Sequence, residues 1–191
     1  MSSSWQQVVI SDVAELVRGV TYSKEDSRAT PADGFSPVLR ATNIQDSCLV
    51  LESDLVYVPS GNVSPTQRLR AGDVVMATSS GSKHLVGKSA LMHTDWVGSF
   101  GAFCAALRAK PNVDPRYLSA FLQSPAYWKQ VSKKALGVNI NNLRRGDIES
   151  LALPLPGLDE QREIVGELEK QFSRLDEAVA NLQRVKANLK R

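Results

Sequence analysis

The side chains that most often carry catalysis or bind metals are few and scattered in this chain. Histidine occurs at His84 and His93 and cysteine at Cys48 and Cys104, with no metal-ligand spacing among them. Cys104 lies in the apolar stretch FGAFCAALR, which favours a buried structural thiol over a nucleophile. We therefore expect no catalytic and no metal-binding residue. An enzyme that used Cys104 with His84 or His93 is the alternative, and it predicts a reactive thiol of low pKa.

Residue types that contact DNA are concentrated in three polar segments. Lys and Arg bind phosphates and guanine edges, Asn pairs with adenine, and hydroxyl groups contact the backbone or the bases. The candidate DNA-binding residues are Tyr22, Lys24 and Arg28 in the first segment, Ser79, Ser80, Ser82 and Lys83 in the second, and Lys133, Lys134, Asn139, Arg144 and Arg145 in the third. The second segment, TSSGSKH, lacks the spacing GxxxxGK(S/T) of a nucleotide-binding loop. Loops are often polar for structural reasons alone, so the residues by themselves leave DNA binding open.

Helices and strands must position these segments. The stretch up to about residue 153 predicts one domain of mixed α+β class. SDVAELVRG predicts a short helix with a capping box of Asp12 and Glu15. SPVLRA, DLVYVP, GDVVMAT, HLVGKSALM and FGAFCAALR predict strands. DPRYLSAFLQ and SPAYWKQVSKKALG predict two helices, each with a cap residue followed by proline. In the first helix, Tyr117, Leu118, Phe121 and Leu122 form the expected packing face.

The last part of the chain predicts one long helix after a proline-rich hinge. LPLPG forbids helix upstream, and Asp159 and Glu160 suit a helix N-terminus. We therefore divide the chain into a globular domain (1–153), a hinge (154–158) and a long helix (159–191). Apolar residues recur at alternating steps of three and four, with one lysine among them, as in a coiled-coil seam. The seam consists of Val165, Leu168, Phe172, Leu175, Val179, Leu182, Lys186 and Leu189. The alternative is a helix that folds back on its own domain.

Composition limits the class of protein. The chain of 191 residues is 42% hydrophobic, with a formal charge of +3, which permits a polyanionic partner without requiring one. No apolar run approaches the length of a membrane span, and the first residues lack the pattern of a secretion signal. We expect a cytoplasmic protein with free thiols and no membrane association.

The order of these segments resembles one half of the specificity subunit of type I restriction–modification systems. The likeness runs from LVRGVTYSK and VLRATNIQD through LRAGDVVMATSSGSKHLVGKSAL, GSFGAFCAALR and YLSAFLQSP. Its most specific part is GVNINNLRRGDIESLALPLPGLDEQREIVGELEKQFSRLDEAV, where an Asn-rich loop leads through LPLP into a heptad helix.

The resemblance implies a non-catalytic DNA-recognition protein. In that family two target-recognition domains each read one half of a split site on double-stranded DNA. Two long helices pair as an antiparallel coiled coil between these domains. Methyltransferase (M) subunits supply S-adenosylmethionine chemistry, and a restriction and motor (R) subunit uses ATP and Mg, so no cofactor is expected on this chain. The candidate phosphate anchors would then be Lys24, Lys83, Lys133, Lys134, Arg144 and Arg145. The candidates for reading bases would be Tyr22, Ser79, Ser80, Ser82 and Asn139.

The sequence departs from the family in containing a single half. A natural half-size subunit and a fragment of a two-domain subunit both stay open, with the uncapped end favouring the fragment. In either case we expect the seam to pair with a second copy, giving a homodimer that recognises an interrupted palindrome. A coiled-coil adaptor that binds another protein and no DNA is the principal alternative function.

Overall fold

The structure, a computed structural model, describes residues 5–81, 85–135 and 142–189, without the side chains of 133–135 and 189. Its helices are α1 Ile10–Val13, α2 Pro115–Phe121, α3 Pro125–Ala135, α4 Arg145–Glu149 and α5 Leu158–Leu189. Its strands are β1 Gln6–Val9, β2 Ala14–Arg18, β3 Phe35–Leu39, β4 Ile44–Gln45, β5 Cys48–Leu49, β6 Val56–Pro59, β7 Asp73–Ala77, β8 Ser89–Leu91, β9 Ser99–Phe100, β10 Cys104–Ala109 and β11 Ala152–Leu155. The α+β class with one long C-terminal helix is therefore confirmed.

An antiparallel sheet in the order β2-β10-β7-β8 forms the centre of the domain. Successive side chains of a strand point to opposite faces, and here both faces are covered. In β7, Val74 and Met76 join a core with α2, α3 and α4, whereas Val75 and Ala77 join a second core with β3 and β9. This burial on both faces explains the continuous apolar run of GDVVMAT.

A smaller sheet in the order β6-β3-β9 lies on the side of the second core. β3 pairs antiparallel with β6 and parallel with β9. Val20, Val38, Val58 and Val63 form a third buried cluster beside it. Because β9 leads directly into β10, the two sheets meet at the turn between these strands.

The two predicted helices after β10 are confirmed with their caps and packing face. The Asp114 carboxylate accepts a hydrogen bond from the Arg116 amide at 2.9 Å, and Pro115 occupies the first helical position. The side chains of Tyr117, Leu118, Phe121 and Leu122 are buried against the central sheet, as predicted from their spacing. In α3, Tyr127 is fully buried and donates a hydrogen bond to the Gly87 carbonyl at 2.7 Å.

The helix predicted over SDVAELVRG is wrong beyond its first turn. α1 ends at Val13, and the residues from Ala14 to Arg18 form β2, the edge strand paired with β10. Asp12 does cap the helix, by accepting from the Val9 amide at 3.1 Å, but Glu15 is a strand residue opposite Arg108. The apolar residues fit a helical period because β2 is buried on both faces, which removes the alternation that marks a half-exposed strand.

The single strand predicted over FGAFCAALR is also wrong, because the structure divides it into β9 and β10. The turn at 101–103 separates the two strands. Gly101 lies at the break, where a Cβ would be in ordinary van der Waals contact with Tyr22 and the Leu39 carbonyl at 3.4–3.6 Å. The chain thus passes from the smaller sheet into the central sheet within three residues.

The segment predicted as a hinge begins in a paired strand. β11 includes Leu153 to Leu155 and pairs antiparallel with β1, and α5 begins at Leu158. Gln161 is fully buried at the start of α5. Its side chain accepts from the Asp114 amide at 2.9 Å and donates to the carbonyls of Asn112 (3.2 Å) and Pro156 (2.9 Å). These bonds attach the helix to the domain at a definite angle, whereas the domain boundaries themselves stay a prediction.

Beyond its first two turns, α5 leaves the domain. Val165 is buried in the main core, but the following seam residues are exposed, among them Phe172 at 62% and Leu182 at 69%. At about 1.5 Å per residue its 32 residues extend about 48 Å. The helix therefore does not fold back on its own domain, and its pairing with a second helix stays a prediction. No helix in the described ranges is both long and apolar enough to cross a membrane.

Candidate nucleic-acid interface

The turn at 101–103, which we call the β9–β10 turn, holds two of the predicted DNA-binding segments together. The Phe103 carbonyl accepts hydrogen bonds from the amides of Thr78 (2.8 Å) and Ser79 (3.1 Å). Ser79 in turn forms a β-bridge with Asn142, and the Leu143 amide donates to the Thr78 carbonyl at 2.7 Å. The second and third predicted segments are therefore adjacent in the fold, although more than 60 residues of sequence separate them.

The first segment reaches the same turn from its other side. Val20 forms a parallel bridge with Gly101, and its amide donates to the Phe100 carbonyl at 2.7 Å. A Cβ on Gly19 would lie 2.1 Å from the Gly101 carbonyl oxygen, so only glycine permits this approach of the two backbones. Tyr22 comes two residues after Val20, with its ring beside Gly101. Residues from all three predicted segments thus surround the β9–β10 turn.

A cleft of about 260 Å³ opens beside this turn, and we call it the loop cleft. Its lining includes Arg18, Ser79, Phe103, Asn142 and Arg144, together with Arg145. Arg18 and Arg144 are exposed and form no ion pair within the described part of the chain, whereas Arg145 donates to the Glu149 carboxylate at 2.6 Å. The loop cleft therefore combines uncompensated positive charge with hydroxyl and amide groups, as a DNA-contacting surface requires.

Burial controls the ionisation of two groups next to the turn. It raises the pKa of Tyr22 above its ordinary value, despite the opposing effect of Arg40, so the hydroxyl keeps its proton and can donate a hydrogen bond. Burial also raises the pKa of the Cys104 thiol to about 12. The low-pKa nucleophile that the enzyme alternative predicts is therefore contradicted. His93 is exposed and lines a different cleft, and His84 lies outside the described residues.

Lys24 and Arg28 lie apart from the loop cleft. They line a separate, larger cleft with Arg40, Asp54 and Tyr57. The Arg28 backbone pairs with Tyr57, and its guanidinium lies 4.6 Å from the centre of the Phe35 ring. Because of this cation–π contact, one face of the Arg28 guanidinium is already occupied by an aromatic ring.

Several predicted residues cannot be placed by their side chains. Ser82, Lys83 and Asn139 lie outside the described residues, and Lys133 and Lys134 belong to α3 through their backbone alone. Ser80 is half-buried in the loop after Ser79. In the described ranges, no group of His, Cys, Asp or Glu could hold a metal ion.

Two residues of the loop cleft, Arg18 and Phe103, were missed from the sequence. Arg18 was assigned to a helix, whereas it ends β2 with its side chain exposed. Phe103 was assigned to a buried strand, whereas 67% of its surface is exposed in the turn. The signal that could have found Phe103 is Gly101, since glycine within an apolar run often marks a bend.

The residues of the predicted coiled-coil seam differ in burial, since the first is covered by the domain and the later described ones are exposed. Val165 packs on the domain, while Leu168, at 38% exposed, and Phe172 border an apolar groove of about 490 Å³ between α5 and α2. Leu175, Val179, Leu182 and Val185 are 44–69% exposed, and Lys186 is exposed among them. The side chain of Leu189 is not described. A stripe of this size without cover in a single chain marks an interaction surface.

Comparisons with known proteins agree with this arrangement. The family model of the type I restriction modification DNA specificity domain matches residues 2–191. The chain is 37% identical over its whole length to the StySPI specificity subunit of Salmonella potsdam. It is 36% identical, again over its whole length, to the EcoKI specificity subunit of Escherichia coli K12. It spans 41% of the length of each of these relatives.

Solved structures show the same fold. A chain from a type I restriction–modification system, solved in a study of complex assembly and conformational transition, matches 98% of this chain with a TM-score of 0.69 at 20% identity. The HsdS subunit from Thermoanaerobacter tengcongensis matches 92% with a TM-score of 0.66 at 17% identity. This chain covers 42% and 39% of those two chains, respectively. Each match is therefore to about half, or less, of a longer protein.

Proposed function

Because the chain belongs to the family of type I restriction modification DNA specificity domains, we propose that it recognises DNA for a type I restriction–modification complex. It reads one half of a bipartite site and docks methyltransferase subunits. The chain itself catalyses nothing, and methylation and cleavage reside in the partner subunits. The complex works in the cytoplasm, where its DNA substrate lies.

The meeting of three sequence-distant polar segments at the β9–β10 turn is the observation that carries this proposal. Hydrogen bonds fix the turn to Thr78 and Ser79, and a β-bridge adds Asn142. Such a preformed surface suits recognition, because little order has to be imposed on binding. Arg18 and Arg144 supply positive charge that no carboxylate of the described residues neutralises.

We assign two roles to the candidate DNA-binding residues, of which Lys24 lies in the separate cleft. Cations anchor phosphates: Arg18 joins Lys24, Lys83, Lys133, Lys134, Arg144 and Arg145. Hydroxyl and amide groups read base edges, with Tyr22, Ser79, Ser80, Ser82 and Asn139 as candidates. Phosphate contacts set the position and register of the protein, and base contacts set the sequence it selects.

The partners follow from the same proposal. The M subunits bind S-adenosylmethionine, and the R subunit binds ATP and Mg, so this chain needs no cofactor of its own. The exposed stripe on α5 pairs with the same stripe of a second copy. The pairing is antiparallel, because acidic residues are frequent up to Glu177 and absent from the helix after it, where Arg184 and Lys186 follow. An antiparallel arrangement puts each acidic half beside a basic half.

Reconstitution with a cognate methyltransferase subunit tests the proposal. Methylated positions would be mapped on genomic DNA after incubation with S-adenosylmethionine. We expect one bipartite motif, and for a dimer of identical chains an interrupted palindrome. Random methylation, or none with an active methyltransferase, would contradict the proposal. The adaptor alternative predicts that the assembled complex has no affinity for DNA.

A further inference from the structure

Phe103 is an exposed aromatic side chain in an otherwise polar part of the surface. Outside α5, the large apolar side chains that are exposed in the described residues are Trp5 (39%), Val97 (84%) and Phe103 (67%). The Trp5 indole N–H donates a hydrogen bond to the Glu160 carboxylate at 3.0 Å. Val97 lies in the loop before β9 and does not line the loop cleft. Phe103 is therefore the exposed aromatic ring that the structure presents next to the candidate DNA-contacting groups.

The backbone of the β9–β10 turn holds Phe103 in place. Its carbonyl accepts from the amides of Thr78 and Ser79, at 2.8 and 3.1 Å. The Gly101 amide donates to the Leu39 carbonyl at 2.8 Å, and the Cys104 amide donates to the Gly101 carbonyl at 2.8 Å. Cys104 itself is buried. The ring is thus exposed on a fixed turn, so its exposure does not come from a loose loop.

The groups around Phe103 restrict what the ring can contact. Arg18 and Arg144 line the same cleft and suit phosphates, and Ser79 and Asn142 suit the polar edges of bases. Because phosphate and base-edge groups flank the ring on a fixed turn, a contact with an apolar group at a groove edge fits it better than insertion between bases. In the major groove that apolar group is the C5-methyl group of thymine, whereas the minor-groove edges carry no such group.

We propose that Phe103 is a specificity-determining residue that contacts the C5-methyl group of a thymine in the major groove of the recognised half-site. The proposal rests on the proposed function and adds one base to it. It predicts an A·T pair at one fixed place in each half-site. It also predicts that the thymine methyl group contributes to affinity through this side chain alone.

Replacing thymine by uracil tests the contact, because it removes only the methyl group. The site would first be mapped by methylation with the complex containing the unaltered chain. Affinities would then be measured for duplexes in which each specified thymine is replaced singly by uracil. One replacement should lower the affinity of the unaltered chain by about fourfold, the effect of burying a single methyl-sized group. In the Phe103→Ala complex the same replacement should have no effect.

Two further variants separate this role from a general loss of binding or folding. Val97→Ala removes an exposed apolar side chain of the domain that does not line the loop cleft, and it should keep the sensitivity to uracil. Phe103→Leu keeps an apolar contact and should preserve part of it. Thermal unfolding of each variant would show whether the domain stays intact.

Distinct results would overturn the contact and the function. If Phe103→Ala kept the sensitivity to uracil, or if it weakened all DNA sequences equally, the methyl contact would be refuted and DNA recognition would stand. A mapped site without a specified A·T pair would also refute the contact. If an active methyltransferase gave no defined motif with the unaltered chain, the proposed function would fail before Phe103 was tested.

Discussion

At the scale of single residues, neighbouring arginines in the loop cleft differ in the charge they offer. Arg144 has no ion-pair partner among the described residues, whereas Arg145 is paired with Glu149. We expect Arg144→Ala to weaken binding to all DNA sequences and to reduce the slope of log affinity against log salt by about one unit. Arg145→Ala should change that slope less, because Glu149 already neutralises much of its charge. Titrations at several salt concentrations measure both slopes, and equal changes would contradict this difference.

Asp73 and Arg108 form a buried pair that the fold depends on. Their side chains are 1% and 14% exposed, and two hydrogen bonds of 2.8 and 2.9 Å join them. Asp73→Ala leaves the guanidinium without its partner, and we expect a loss of about 3–5 kcal/mol in the free energy of unfolding. Arg162→Ala removes an exposed pair with Asp159 and should cost less than about 1 kcal/mol. Urea denaturation of the two variants measures these losses. Similar losses would contradict a larger contribution of the buried pair to the free energy of unfolding.

The thiols should differ in reactivity. Cys48 is exposed, whereas burial raises the pKa of Cys104 from 9.0 to about 12. The reactive form is the thiolate, so at pH 8 we expect rapid alkylation of Cys48 and slow alkylation of Cys104. Between pH 9 and 12 the Cys104 thiol is ionised in the unfolded chain but still protonated in the folded one. The free energy of unfolding should therefore fall as the pH rises through this range. Mass spectrometry with Cys48→Ser as the control measures the rates. Fast labelling of native Cys104 would contradict its burial.

Residue types alone indicated the polar segments but could not show how they meet. Ser79, Arg144 and Tyr22 were named from their chemistry, and long-range pairing of the backbone brings them to one turn. Arg18 and Phe103 were missed because each depends on a strand boundary that nonlocal contacts decide. Lys24 and Arg28 were assigned to the same surface as Tyr22 from proximity in sequence, whereas the fold gives them a separate cleft.

At the scale of elements, Gln161 determines how the long helix joins the domain. It is fully buried and satisfies one amide and two carbonyls outside its helix. Gln161→Ala leaves these groups without partners, and we expect a loss of about 1–3 kcal/mol in the free energy of unfolding. Gln171→Ala is a matched control on the same helix, because Gln171 is exposed and bonds only to Glu167 among the described residues. Equal effects in chemical denaturation would show that the helix is not anchored through Gln161.

Elements with local signals were predictable, and those that depend on distant partners were not. α2 and α3 begin with a cap residue and proline, which act within one turn, and the long heptad pattern carries its own periodicity. β2 is a strand because β10 lies beside it with five paired residues, and nothing within its own sequence records that pairing. The split of FGAFCAALR likewise depends on contacts with Gly19 and Tyr22, which lie about 80 residues earlier.

At the scale of the whole molecule, the exposed stripe of α5 predicts self-association. Leu175 is 58% exposed in the middle of the seam. We expect the unaltered chain to form dimers at micromolar concentration, and Leu175→Lys to shift it to monomers, since the change puts a charge on the contact face. Ser173→Lys introduces the same residue at an exposed position off the seam, removes no acidic residue and should leave the dimer in place. Analytical ultracentrifugation distinguishes these states. A strictly monomeric unaltered chain would contradict the dimer and leave the DNA-reading surface unaffected.

The uncovered part of α5 also has a consequence for protein quality control in the cell. A chain that folds correctly still displays a ladder of large apolar side chains from Leu168 to Val185. Chaperones and proteases recognise such surfaces, and exposed patches of this kind promote aggregation. Copies made in excess of their binding partners should therefore be degraded faster than assembled ones. The stripe that we propose as the pairing surface would then also limit how much unassembled protein accumulates.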